Sequence, residues 1–133
     1  MIRCFVFICL TAISGLLHSH HWVSEVYDDS SVTLYEVVVQ EFRFINPHPF
    51  VEVILAGESN PDDIWTLEMD NRWELQALGF TEDTLRAGDR IRIAANTSPF
   101  DDRALYVRLI DHPRLGFRYI HNERELYALG ELD

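Results

Sequence analysis

Hydrophobic and polar positions alternate with period two over several short segments between residues 32 and 110, the periodicity of half-buried strands. The segment from Val32 to Ile45 is rich in β-branched and aromatic residues and carries two registers: Val37 and Val39 share one parity, Phe42 and Phe44 the other. A parity switch inside one strand predicts a bulge near Gln40-Glu41, a device that bends sheets into barrels. The turn Asn46-Pro47-His48-Pro49 leads to a second strand, Phe50 to Leu55, and a loop spans Gly57 to Asp63. The third strand, Ile64 to Met69, points Trp65, Leu67 and Met69 to one face. Asn71 with Glu74 three residues on is a capping-box variant, predicting a short helix with Trp73, Ala77 and Leu78 as its apolar side and Gly79 as its stop. A further helical turn from Thr81 buries Leu85 and closes at Gly88. A strand from Asp89 to Ala94 turns Ile91 and Ile93 inward, Asn96 to Arg103 form a loop, and Ala104 to Ile110 make a fifth strand. The tail from Phe117 to Leu129 adds a short ribbon. Five or six strands with one or two short helices after the third make an all-β (mainly β) fold, a small OB-like Greek-key β-barrel.

The first residues break this pattern. Arg3 is the only charge before Glu25, and Cys4 to Leu17 is almost wholly apolar. The run is shorter than the ~18–20 residues a spanning helix needs and has the charge order of a secretory signal peptide. The expected division is a signal peptide over residues 1–19 and a single barrel domain over residues 20–133, periplasmic or secreted. Both cysteines, Cys4 and Cys9, fall in the leader, so the mature chain has no thiol, disulfide or cysteine-ligated metal.

Charge then narrows the partners. Twenty-two acidic residues against eleven basic ones leave a formal net charge of -11, and every basic residue is arginine. Without lysine there is no Schiff-base chemistry and no phosphate-loop lysine. The acidic balance excludes nucleic acid, and membrane contact is expected only through the signal peptide. No Gly-x-Ser-x-Gly elbow or glycine-rich phosphate loop occurs, so binding is expected rather than catalysis.

Histidine carries the candidate chemistry. Cleavage after Ser19 makes His20 the amino-terminal residue, able to chelate through its α-amino nitrogen and one ring nitrogen. A further imidazole completes a plane of three nitrogens, a tetragonal set that suits Cu(II). His21 is adjacent, and His48 sits between two prolines that stiffen its turn. The metal set expected is therefore His20, His21 and His48, with Cu(II) as the cofactor. The same residues also fit a frayed chain end and an ordinary turn. His112 and His121 match no metal spacing and read as surface or structural histidines. The acidic pairs Asp28-Asp29, Asp62-Asp63 and Asp101-Asp102 lack calcium-loop spacing and read as solvated loop residues. Trp65 and Trp73 read as core residues rather than as a stacking platform.

Several of these segments together resemble a family of small exported bacterial proteins catalogued as a domain of unknown function. The resemblance rests on His20-His21-Trp22, Phe42 through Pro49, Trp65-Thr66-Leu67-Glu68 and Leu85-Arg86-Ala87-Gly88-Asp89, in that order. Its hallmarks are a His-His pair after the signal peptide and an Asn-Pro-His turn after the first strand, and it covers residues 20 to 112. The resemblance implies an exported compartment and a barrel, and no reaction. Three readings of function follow: a periplasmic barrel that binds Cu(II), an adaptor module that docks another exported protein near the Asn-Pro-His turn, or a hydrolase acting through Glu68, Asp70 or the loop acids.

Overall fold

The computed structural model describes residues 26–121, except 29, 31 and 59, together with 125–128. The strands are β1 (Thr33–Arg43), β2 (Phe50–Leu55), β3 (Trp65–Glu68), β4 (Arg90–Thr97), β5 (Ala104–His112), β6 (Phe117–Ile120) and β7 (Glu125–Ala128), with one short helix, α1 (Arg72–Ala77), between β3 and β4. The sheet runs β3-β2-β1-β4-β5-β6-β7, and β3 also pairs with β5. That pairing, parallel through Leu67↔Leu105 and Glu68↔Tyr106, closes the first five strands into a barrel. The OB-like barrel expected from the sequence is present, and the tail ribbon adds β6 and β7 beyond it.

The bend in β1 lies where the parity switch placed it. Val39 pairs with Val53 and Glu41 with Glu52, so one residue is extra on β1 between them. Val37 and Val39 point into the core before the bulge, and Phe42 packs on its margin after it. The core is filled from every barrel strand, including Val51, Val53, Leu67, Ile91, Ile93, Leu105 and Val107. Burial of this apolar surface supplies the main driving force for closure, at about 25 cal/mol per Å².

The helix is capped as the sequence indicates, since the Asn71 side chain accepts the Glu74 N–H at 2.9 Å. Its apolar face is only partly the one expected: Leu78 packs against the core, but Trp73 and Ala77 do not. Leu75 is fully buried, whereas Trp73 is 68% exposed. Six residues are too few to fix a helical phase from sequence, and packing against Phe80 and the barrel selects Leu75. Strand β4 also runs further than expected, through Thr97. Asn96, read as the start of a loop, is 1% exposed, and its side chain donates to the Asp28 carbonyl at 2.8 Å.

On the outer surface, Glu36, Arg92, Asp111 and Arg118 face one another across four adjacent strands, β1, β4, β5 and β6. Arg118 grips Asp111 through two nitrogens at 2.6 and 3.0 Å, and Arg92 approaches the same carboxylate at 3.2 Å. Cross-strand pairs of opposite charge stabilise this register and penalise any other.

Candidate functional site

Strand β3 ends at Glu68, and Asp70 follows immediately before the helix cap. Glu68 and Asp70 alternate with Leu67 and Met69, which fill the core, so both carboxylates lie together at the end of β3 on the parity that faces away from the interior. The turn containing His48 is fixed beside them. The Met69 N–H donates to the Pro49 carbonyl at 3.1 Å and the Arg72 N–H to the Pro47 carbonyl at 2.9 Å. The Arg72 side chain adds a bond to the Phe44 carbonyl at 3.0 Å and lies over the Phe44 ring. The Asn46–Pro47 peptide is cis.

Held in this way, His48 donates from Nδ1 to Glu68 Oε1 at 2.5 Å. The other oxygen of Glu68 accepts the Tyr27 hydroxyl at 2.8 Å. An ionised carboxylate only accepts, so Nδ1 carries the proton of this bond and Nε2 is left outside it. Tyr27 is nearly buried, and its ring lies 5.4 Å from that of Tyr106 on β5. Burial first, then the bond to Glu68 and its negative charge, push the Tyr27 phenol well above its ordinary range.

Asp70 repeats the arrangement with different partners. It accepts the hydroxyls of Tyr106, at 2.9 Å, and Tyr119, and it accepts His121 Nδ1–H at 2.7 Å. The His121 ring meets Tyr106 edge-on at 5.3 Å. Burial of Asp70 favours its protonated form, but the bonds from His121 and Tyr119, the His121 charge and the Tyr106 bond outweigh it and hold the carboxyl below its usual range. Burial and the Asp70 charge raise the phenols of Tyr106 and Tyr119 strongly. At the mouth of the barrel, then, two carboxylates each orient one histidine and hold at least one tyrosine.

Of the expected ligands, His48 lies in this mouth, while His20 and His21 fall outside the described residues. Tyr27, the nearest described anchor to them, bonds the carboxylate that orients His48. His112, by contrast, is completely buried at the far end of β5. Its Nε2 faces Asp89 Oδ2 at 3.1 Å and its Nδ1 accepts the Leu115 N–H at 3.4 Å, a structural role that uses both ring nitrogens. Among the described residues no three His, Cys, Asp or Glu side chains group closely enough to hold a metal ion on their own. Glu68 and Asp70 stood out only as acids of a hydrolase, and no local pattern revealed Tyr27 and His121, since these partners are 20 to 51 residues apart.

The model of a family of unknown function, DUF6152, matches residues 8–103. No curated protein matches the chain.

Proposed function

We propose a function from this premise: the chain belongs to the DUF6152 family, whose membership carries no activity, so the reading rests on the mouth of the barrel. The protein is an exported, periplasmic barrel that binds one Cu(II) through His20, His21 and His48. In it, His20 supplies its α-amino and ring nitrogens, His48 supplies Nε2, and His21 assists. The observation that carries the reading is the 2.5 Å contact from His48 Nδ1 to Glu68. A carboxylate on one imidazole nitrogen fixes the ring and raises the basicity of the other, the usual support of a metal-ligating histidine. Chain geometry agrees. Six residue-to-residue steps link His21 to the anchored Tyr27, a tether of at most ~20 Å, and Tyr27 bonds the same Glu68. The three-donor requirement that the described residues do not meet alone is met by the amino-terminal pair.

The test is a Cu(II) titration of mature protein beginning at His20, read by calorimetry and electron paramagnetic resonance. One equivalent with a nitrogen-rich tetragonal signal, lost in His48→Ala and in a chain extended before His20, is the expected result. Uptake that is unaffected by either change removes the reading.

A second reading, an adaptor that docks another exported protein, is favoured by two exposed apolar side chains flanking the turn. Ile45 is 50% exposed and Trp73 is 68% exposed, one just before Asn46 and the other just after the Arg72 that bonds Pro47. Exposed aromatic residues are common anchors of protein interfaces. On this reading, blocking His20 leaves function intact and Trp73→Ala abolishes it.

A further inference from the structure

Two rows of side chains cross the outer face of β1, β4, β5 and β6, and strand register fixes both. The row Glu36, Arg92, Asp111 and Arg118 alternates in sign from strand to strand. Two residues along each strand lies a second row, Leu34, Ala94, Leu109 and Ile120, apolar throughout. The four charged residues line a groove of about 470 Å³ together with Leu34 and Leu109. Cross-strand pairing accounts for the order of charges within one chain. It does not account for Leu34, left 77% exposed beside further apolar residues. The charged row is also neutral, with two charges of each sign, on a chain of net charge -11. It is thereby spared the repulsion that so acidic a surface presents to a second copy of itself.

We infer that this face binds a second copy of the chain about a two-fold axis that runs parallel to the strands, between β4 and β5. Such an axis keeps each row at its own level and reverses its order. Glu36 then meets Arg118 of the second copy, and Arg92 meets Asp111 of the second copy, each pair occurring twice. In the apolar row, Leu34 meets Ile120 and Ala94 meets Leu109. A two-fold contact requires a self-complementary patch. A row that alternates strictly in sign becomes its own complement on reversal, whereas a row with like charges at its two ends sets like against like. Arg118 already holds Asp111 of its own chain, but a guanidinium has five donors and can serve a second carboxylate. Arg92 is 59% exposed and available from the same side. At this level β5 pairs with β6 rather than with β3, so the face continues past the barrel wall and is open to sheet-on-sheet packing. The exposed Leu34 enters the groove of the other copy, and the dimer needs no metal.

The experiment is sedimentation velocity of the mature chain with a chelator present, over about 1 µM to 1 mM, the span of weak association. Leaving out the apolar run from Cys4 to Leu17 removes its own tendency to associate, and the chelator prevents bridging by metal. The wild type is expected to pass from monomer to dimer over this range. Glu36→Arg sets an arginine against Arg118 of the second copy, Arg118→Glu sets a glutamate against Glu36, and each alone weakens the dimer about tenfold or more. An equimolar mixture of these two variants is expected to dimerise as the wild type does, because the mixed pair has opposite charges at both ends. Leu34→Glu, at an exposed position, weakens the dimer to the same extent without lowering the melting temperature, and so separates association from folding. A wild type that stays monomeric to the top of the range overturns the inference. So does a dimer that all three variants leave intact, or a mixture that fails to regain wild-type association.

Discussion

Nδ1 of His48 and Oε1 of Glu68 are 2.5 Å apart, although 20 residues separate them in the chain. The turn is rigid because Pro47 and Pro49 fix it and because Met69, just after β3, and Arg72, the first residue of α1, donate to their carbonyls. His48 is thereby presented in one orientation before any ligand arrives. A preorganised imidazole loses less freedom on binding than a mobile one.

Glu68→Gln tests that orientation. The amide retains the size of the side chain and removes the charge that fixes the His48 tautomer. Cu(II) affinity is expected to fall about 10–100-fold, the range for lost outer-shell partners of metal ligands, whereas His48→Ala abolishes the site. Competition titration against a chromophoric chelator measures both, and equal affinities of Glu68→Gln and wild type would remove Glu68 from the site.

Asp89 anchors the opposite side of the molecule. It accepts the Arg86 N–H at 2.8 Å, two bonds from Arg114 at 2.7 and 3.0 Å, and His112 Nε2–H at 3.1 Å. Burial favours its neutral form, but the Arg114 bonds, the Arg86 N–H and the Arg114 charge hold its pKa at about 2. A carboxyl depressed in the folded state contributes stability above its unfolded pKa of ~3.9, and that contribution is lost as pH falls toward the folded value. Asp89→Asn is therefore expected to cost about 2–3 kcal/mol near neutrality, since it weakens several bonds to a buried acceptor. The gap between variant and wild type narrows between pH 4 and 2. Urea unfolding across that window gives the difference directly.

The tyrosines make the complementary prediction at high pH. Burial, together with Glu68 for Tyr27 and Asp70 for Tyr106 and Tyr119, raises these three phenols. A raised folded pKa means their contribution is complete below the unfolded value of ~10 and is lost as pH climbs past it. Phenolate absorbance is expected to show these three of the five tyrosines ionising only as the barrel unfolds. Early, reversible ionisation of all five would show that the two carboxylates hold no phenols in solution.

The helix offers the sharpest contrast in stability. Leu75→Ala empties a fully buried position and is expected to cost about 2–5 kcal/mol. Asn71→Ala removes the cap on Glu74 N–H and costs about 1 kcal/mol. Trp73→Ser, at an exposed position, stays within about 0.5 kcal/mol of wild type. Chemical denaturation of the three variants ranks them.

These contrasts show what the sequence carries and what it does not. The bulge after Val39, the second strand from Phe50 to Leu55 and the Asn71 cap were legible because each is a local signal: a parity switch, an alternation and a capping pair. The Trp73 face was misread because six residues do not determine a helical phase, and the barrel decided it. The mouth was half legible. His48 stood out between its prolines, but Glu68 and Asp70 read only as the acids of a hydrolase, with no sign of Tyr27, Tyr106, Tyr119 or His121. Pairings across 20 to 51 residues are created by the β3–β5 closure, and no local pattern announces them.

The spread of those partners governs when the mouth can exist during synthesis. Glu68 draws Tyr27 from 41 residues upstream, and Asp70 draws His121 from 51 residues downstream. A chain that emerges amino terminus first exposes Tyr27, His48 and Glu68 while β5 and His121 are still to come. The incomplete chain has neither the closing strand nor the second imidazole, and the two carboxylates lack their full complement of donors. Any capacity that depends on this mouth therefore arrives only with the last quarter of the sequence, which makes it a built-in check that the molecule has been finished.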